Sequence, residues 1–124
     1  MSKNTILLIE DNPLLTEAYK ATLETKEFAV HATHNGTEGI EMIRKLKPSI
    51  VLLDIRIHGQ GGLEVLEQIK KDAEISNIPV IIFTMSNDEN DQKRAEELQA
   101  DGYYLKNNTS LDDLVGYVEE KINV

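Results

Sequence analysis

Residues 49–55, Ser-Ile-Val-Leu-Leu-Asp-Ile, decide the fold, because they form a short apolar run that ends on a single carboxylate. A strand with one wet face would alternate apolar and polar residues, whereas this run is apolar on both faces, as in the centre of a parallel sheet. An ionised carboxylate buried inside such a run would be strongly unfavourable. Asp54 is therefore expected where the strand leaves the core, at the edge where open α/β sheets bind ligands.

Apolar runs alternate with helical patterns along the rest of the chain. Short apolar runs predict strands at residues 5–9, 28–32, 50–53, 80–83 and 103–105. Helical spacing and capping residues predict helices that begin near Pro13, Gly36, Leu63, Asn87 and Leu111. This alternation requires parallel pairing with right-handed crossovers and helices on both faces, so a doubly wound sheet of five strands is expected. The pattern alone does not give the strand order, and the polar segment 87–99 is expected to be the least firmly docked helix.

The composition predicts one globular domain that spans residues 1–124. A net charge of −9, with no clustered basic face, argues against a nucleic-acid partner. The absence of cysteine excludes a disulfide framework and a thiolate metal site. No apolar stretch approaches the ~18 to 20 residues of a membrane span, and no signal peptide is expected, because the sequence enters a strand-like run directly after residues 1–4. We therefore expect a cytoplasmic protein that does not contact a membrane.

Polar residues follow four of the five predicted strands: Glu10 and Asp11, then Asp54, Thr84 and Lys106. Each of them alone is most simply a turn residue or a solvated surface residue. In a parallel sheet, however, all strands end at the same edge, so these side chains are expected to meet. Their convergence makes the purely structural interpretation much weaker.

The predicted cluster has the groups that phosphoryl transfer to a carboxylate needs. Three close carboxylates repel one another unless a cation lies between them, and a hard ion such as Mg²⁺ suits oxygen ligands. Lys106 can neutralise further negative charge, and the hydroxyl of Thr84 can donate a hydrogen bond to a phosphoryl oxygen. Asp54, the single acid on the central strand, is the candidate nucleophile that would form an acyl phosphate.

The sequence resembles the receiver domain of two-component response regulators over essentially its whole length. The resemblance rests on five motifs in combination: LIEDN at 8–12, VLLDI at 51–55, GLEVL at 62–66, IIFT at 81–84 and ADGYYLK at 100–106. It implies a flavodoxin-like (βα)5 fold with strand order 2-1-3-4-5. It also implies Mg²⁺, or Mn²⁺, bound by Glu10, Asp11, Asp54 and the backbone carbonyl of Arg56.

The resemblance further implies how such a domain would switch. Thr84 would be the switch hydroxyl, Tyr103 the aromatic switch residue and Lys106 the invariant lysine. Residues Arg56, Met85 and Ser86 occupy positions that tune the lifetime of the phosphate in this family. The phosphoryl donor would be a sensor histidine kinase or a histidine phosphotransfer protein. The output surface, formed by helix 4, strand 5 and helix 5, would bind a downstream protein or a second copy.

Three residues depart from the pattern of the family. Asn107 follows the lysine where the family usually has Pro, often after a cis peptide bond, so the Lys106 loop is expected to differ in shape. His58 stands where Pro is frequent, and Met85 replaces a usually small residue. A Met85 side chain that points at the pocket is expected to restrict access to the acyl phosphate.

We expect a signalling switch rather than an enzyme, one that catalyses only its own phosphorylation and dephosphorylation. The main alternative is a receiver-shaped interaction module that is not phosphorylated. A flavodoxin-type electron carrier has the same fold, but the acidic loop that contains Glu10 and Asp11 would repel the phosphate of FMN. A metal phosphohydrolase is possible by its chemistry, but this sequence has no second acid two residues after Asp54. We expect either a stand-alone receiver or an excised domain.

Overall fold

The computed structural model describes residues 4–57, 59 and 61–122 of the 124-residue chain. Its strands are β1 (Thr5–Ile9), β2 (Ala29–Thr33), β3 (Ile50–Leu53), β4 (Val80–Thr84) and β5 (Gly102–Leu105). Its helices are α1 (Pro13–Glu24), α2 (Gly36–Leu46), α3 (Gly62–Lys71), α4 (Glu89–Glu97) and α5 (Leu111–Ile122), with a 3₁₀ turn at Lys106–Asn108. His58 lies outside the described residues, so its prediction has no structural counterpart.

The five strands pair in parallel in the order β2-β1-β3-β4-β5, which confirms the doubly wound fold and the strand order that the resemblance implied. The central strand β3 pairs with β1 on one side and with β4 on the other. All four of its residues are 0% exposed. The two-faced apolar pattern of the run at 50–53 therefore corresponds to a strand that is covered from both sides.

Alternate residues of the strands enter two separate hydrophobic cores. On one face, Val51 and Leu53 belong to a core to which α2, α3 and α4 contribute. On the other face, Ile50 and Leu52 belong to a core to which α1 and α5 contribute. Because every strand runs in the same direction, all their carboxyl ends lie at one edge of this three-layered structure, and that edge positions the candidate site.

The helix that follows β1 begins as its sequence predicts. The side chain of Asn12 accepts hydrogen bonds from the backbone N–H groups of Leu14 and Leu15, and Pro13 is the first helical residue. Only three residues, 10–12, separate the end of β1 from the start of α1, so the chain turns sharply at Glu10 and Asp11. The turn keeps both acids at the edge of the sheet.

The helix α4 is the least buried of the five α-helices. Ala95 is its single buried residue, whereas each of the other four α-helices buries two or more. This agrees with the polar sequence of the segment 87–99. None of the helices in the described part of the chain has the length and apolar character required to cross a bilayer.

Candidate functional site

The carboxyl edge of the sheet carries four buried or nearly buried polar side chains. Glu10 follows β1, Asp54 follows β3, and Thr84 is the last residue of β4; they are 2%, 7% and 0% exposed. The side chain of Lys106, which begins the 3₁₀ turn after β5, is 5% exposed. Polar groups buried to this degree need partners. The structure brings these four predicted residues together, and they satisfy one another.

The amine of Lys106 joins two of the acids. Its Nζ donates hydrogen bonds to Oδ2 of Asp54 at 2.8 Å and to Oε1 of Glu10. Burial alone would lower the pKa of Lys106, but the hydrogen bonds that its amine donates to Asp54 and Glu10 outweigh burial, so the pKa is raised above its ordinary value. Lys106 is therefore a fixed positive charge beside Asp54.

The second oxygen of Asp54 is also engaged. Oδ1 accepts a hydrogen bond from Oγ1 of Thr84 at 2.7 Å and one from the backbone N–H of Arg56 at 3.1 Å. The carboxylate is thus held in one orientation by a hydroxyl, an amide and an amine. Donors fixed in this way are arranged to stabilise negative charge that develops at Asp54.

A cleft of about 480 Å³ opens over this cluster. Its lining includes Glu10, Asp11, Asp54, Arg56, Met85 and Lys106. Three of these residues are carboxylates, and carboxylate oxygens are the donors that Mg²⁺ and Mn²⁺ prefer. By donor chemistry, the lining fits a hard divalent ion.

The predicted metal ligands are not gathered around one point, however. Oε1 of Glu10 and Oδ2 of Asp54 accept from Lys106, and Oε2 of Glu10 accepts from the backbone N–H of Asn12 at 3.0 Å. Among residues 4–57, 59 and 61–122, no three His, Asp or Glu side chains form a group that could hold a metal ion. Glu10 would have to turn from Lys106 to share an ion with Asp54.

Of the residues predicted to switch or to tune the site, Arg56 and Met85 line the cleft, whereas Tyr103 lies beside α4. The hydroxyl of Tyr103 donates a hydrogen bond to the backbone carbonyl of Ser86 at 2.8 Å. Burial raises the pKa of Tyr103, although the hydrogen bond to Ser86 acts in the opposite direction. Met85 is 59% exposed and lines the cleft, so it projects over the entrance rather than into the core.

The peptide bond between Lys106 and Asn107 is not cis. None of the peptide bonds in the described residues is cis, and Asn107 is an exposed residue of the 3₁₀ turn that begins at Lys106. The turn directs Lys106 back to Asp54 while the backbone continues to α5. The non-proline residue is thus compatible with the position that the lysine takes.

The sequence did not single out Tyr19 or Asp91, yet both lie near the site. Tyr19 of α1 is 5% exposed, and its ring packs edge-on against Phe83 with 5.3 Å between the ring centroids. Burial raises the pKa of Tyr19, and Lys106 lowers it electrostatically. Asp91, in the first turn of α4, accepts a hydrogen bond from Arg56. Nothing in the sequence distinguishes Asp91 from an ordinary solvated residue at the start of a helix.

The stability of the fold is expected to fall at alkaline pH. Burial raises the pKa of Tyr19, Tyr103 and Tyr104 above 10.0, and that of Lys106 lies above 10.5. These groups bind a proton more tightly in the folded chain than in the unfolded one. Their contribution is therefore complete below the unfolded pKa values and is lost as the pH rises through the folded ones.

Urea unfolding followed by far-ultraviolet circular dichroism tests this expectation. The free energy of unfolding should begin to decline as the pH rises above about 10, the ordinary pKa of tyrosine. A free energy of unfolding that stays constant as the pH rises above this value would contradict the raised pKa values.

The model of the response regulator receiver domain family matches residues 6–119 of the chain. Among curated proteins, PilH of Pseudomonas aeruginosa is 40% identical over 103 residues, which cover 82% of this chain and 84% of PilH. The nitrate/nitrite response regulator NarL of Escherichia coli K12 is 36% identical over 104 residues. That match covers 82% of this chain and 47% of NarL, so the chain spans about half of that relative.

Solved structures of response regulators share the fold. A DNA-binding response regulator of the LuxR family from Staphylococcus aureus is 30% identical, with a TM-score of 0.89 over 97% of this chain and 99% of that one. The response regulator Rcp1, solved in its Mn²⁺-bound form, is 26% identical, with a TM-score of 0.81 over 94% of this chain and 90% of that one.

Proposed function

The chain belongs to the response regulator receiver domain family, and from that premise we propose that it is a phosphorylation switch whose phosphoacceptor is Asp54. The observation that carries this proposal is the bonding of the Asp54 carboxylate. One oxygen accepts from Lys106 at 2.8 Å and the other from Thr84 at 2.7 Å. A nucleophile held between an amine and a hydroxyl at the mouth of an open cleft suits phosphoryl transfer.

In the proposed reaction, an oxygen of Asp54 attacks the phosphorus of a phosphohistidine. The P–N bond breaks, the imidazole leaves as it takes up a proton, and an acyl phosphate bond forms. Lys106 balances the negative charge that collects at the phosphoryl oxygens. The hydroxyl of Thr84 donates to one of those oxygens in place of the carboxylate. Water later hydrolyses the acyl phosphate, so the chain acts on no substrate other than its own aspartate.

A divalent ion, Mg²⁺ or Mn²⁺, would be held by Glu10, Asp11, Asp54 and the backbone carbonyl of Arg56. When bound, such an ion neutralises charge on the phosphoryl oxygens. The Mn²⁺-bound form of Rcp1 supports this assignment by family relationship. The carboxylate-lined cleft supports it by donor chemistry.

The switch is proposed to run from Thr84 to the face formed by α4, β5 and α5. The backbone N–H of Ser86 donates to Oγ1 of Thr84 at 3.3 Å, and Tyr103 donates to the carbonyl of Ser86. When Thr84 turns toward the phosphoryl group, Ser86 loses this partner and Tyr103 moves inward. Arg56 and Met85, which line the cleft, and Ser86, which contacts Thr84, would set the lifetime of the phosphate.

The proposed partners follow from this role. A sensor histidine kinase or a histidine phosphotransfer protein supplies the phosphoryl group, and a downstream protein or a second copy binds the α4-β5-α5 face. Neither nucleic acid nor a membrane is proposed as a direct partner. The proposed location is the cytoplasm, where these phosphoryl donors act.

Intact-mass measurement after incubation with acetyl phosphate and Mg²⁺ tests the proposal. The wild-type chain is expected to gain the mass of one phosphoryl group, and Asp54→Ala and Asp54→Asn are expected to gain none. Chelation of the divalent ion before incubation should abolish the adduct in the wild type. Circular dichroism of both variants establishes that they remain folded.

Two outcomes would count against the proposal in different ways. An adduct that persists in both Asp54 variants would mean that another residue is the acceptor. A wild-type chain that gains no adduct from acetyl phosphate or from phosphohistidine donors would instead be the non-phosphorylated interaction module.

A further inference from the structure

One carboxylate oxygen of Asp91 connects three elements beside Asp54. Oδ2 of Asp91 accepts a hydrogen bond from Nη2 of Arg56 at 2.8 Å and another from Oγ of Ser86 at 2.6 Å. Arg56 follows β3, Ser86 follows β4, and Asp91 belongs to the first turn of α4. The side chain of Asp91 is 16% exposed, whereas that of Arg56 is 65% exposed. The loosely packed helix α4 is therefore tied to both loops at the site through one oxygen atom.

These bonds are part of a closed ring that includes Asp54. Oδ1 of Asp54 accepts from the backbone N–H of Arg56 and from Oγ1 of Thr84, and Oγ1 of Thr84 accepts from the backbone N–H of Ser86. Asp91 closes the ring between Ser86 and Arg56. A change at Asp54 therefore reaches α4 by two routes, one through a hydroxyl and one through a guanidinium.

Arg56 lines the same cleft as Asp54, and its guanidinium binds Asp91 in this structure. A phosphoryl group on Asp54 would add a second anion beside Arg56, in competition with Asp91. A phosphoryl group on Asp54 carries about −1.5 to −2 charges and offers several acceptor oxygens. It is thus a stronger partner for a guanidinium than a single carboxylate is.

We propose that Asp91 is a positioning residue that holds the guanidinium of Arg56 away from unphosphorylated Asp54. On phosphorylation, the guanidinium leaves Asp91 and binds the phosphoryl group, which releases the first turn of α4. In this exchange, Arg56 leaves its ion pair with Asp91 and forms a new one with the phosphoryl group. This inference rests on the proposed function, since it needs a phosphoryl group at Asp54. It also explains how a polar helix with one buried residue is held in place before activation.

Binding of beryllofluoride, a phosphoryl mimic, in the presence of Mg²⁺ tests the proposal on the full chain. Asp91→Asn removes the charge that competes for Arg56, so we expect this variant to bind beryllofluoride about two- to fivefold more tightly. This range corresponds to the energy of a partly exposed ion pair. The matched control is Glu89→Gln. Glu89 lies in the same helical turn and is exposed, and it makes no ion pair with another described residue. Its substitution should leave the affinity unchanged.

A double-mutant cycle separates positioning from a merely structural role. In an Arg56→Ala background, Asp91→Asn is expected to change the affinity by less than about 1.5-fold, because the partner of Asp91 is already absent. Amide hydrogen exchange at residues 92–95 supplies a second measurement. Exchange should rise in the wild type when beryllofluoride binds, and it should already be raised in free Asp91→Asn.

The proposal is overturned if Asp91→Asn and Glu89→Gln bind beryllofluoride equally, or if the full effect of Asp91→Asn persists without Arg56. In the latter case Asp91 would act as an anchor for Ser86 alone. A wild-type chain that fails to bind beryllofluoride contradicts the proposed function itself. That result is distinguishable from either outcome of the variant comparison.

Discussion

Gly62→Ala is expected to lower the free energy of unfolding by about 3 kcal/mol, the upper part of the range for overpacked sites. A Cβ atom on Gly62 would lie 2.3 Å from the carbonyl oxygen of Asp54 and 2.5 Å from Cα of Ile55. Both are backbone atoms, which cannot turn aside as the end of a flexible side chain can. The N–H of Gly62 also donates to the carbonyl of Ile55 at 3.0 Å, so α3 cannot withdraw without breaking this bond.

The same substitution should slow phosphorylation of Asp54, because relief of the clash displaces the backbone that carries the phosphoacceptor. A shift of about 1 Å at a reacting group is enough to reduce a rate strongly. Urea unfolding gives the loss of stability, and the rate at which acetyl phosphate produces the mass adduct gives the loss of reactivity.

Gly116→Ala is the matched control for this prediction. Gly116 lies within α5, and a Cβ atom built on it has no neighbour within 4 Å. The added methyl group should stabilise the helix by about 0.5 to 1 kcal/mol without affecting Asp54. The steric argument fails if Gly62→Ala is as stable as the wild type, or if the two alanine variants shift stability in the same direction.

The sequence was sufficient for the fold wherever one strong local signal determined the outcome. The run at 50–53 could be buried on both faces only as a central strand, and β3 has that place. The boundary of β2 was wrong by one residue, since pairing runs over Ala29–Thr33 rather than 28–32. Phe28 is buried, but it packs into the core before the strand pairs, so its apolar side chain extended the predicted strand.

The convergence of the site could be predicted because it depends on topology. In a parallel sheet, the residues after β1, β3, β4 and β5 have to share one edge, and Lys106 accordingly reaches Asp54 across 52 positions of sequence. The strand order itself came from the family resemblance, because apolar periodicity does not distinguish one parallel neighbour from another.

The partners of individual polar side chains could not be predicted in this way. Glu10 binds Lys106 and the backbone of Asn12, although its position after β1 is equally consistent with a place around a cation. Asp91 and Arg56 meet because the first turn of α4 lies beside the loop after β3. Ala95 is the single buried residue of α4 and packs against the core, so the sequence of this helix gives little sign of which side chains face that loop.

Lys106→Met is expected to lower the free energy of unfolding at pH 7 by about 3 kcal/mol, as removal of one partner from a buried ion pair generally does. The substitution keeps most of the apolar stem and removes the amine. Glu10 and Asp54, which are 2% and 7% exposed, then lose the cation that both of them bind. Two buried carboxylates without a counter-charge are the main source of the expected loss.

Two comparisons identify the uncompensated charge as the cause. Glu10→Gln in the Lys106→Met background removes one of the two charges and should restore part of the stability. Lys70→Met is the matched control, since Lys70 binds Asp101 at 3.1 Å with side chains that are 18% and 33% exposed. A partly exposed pair of this kind is worth at most about 1 kcal/mol. Equal losses of unfolding free energy in Lys106→Met and Lys70→Met would mean that the buried acids do not need the Lys106 amine for stability. Evidence that Lys106 neutralises charge would then have to come from the rate of phosphorylation alone.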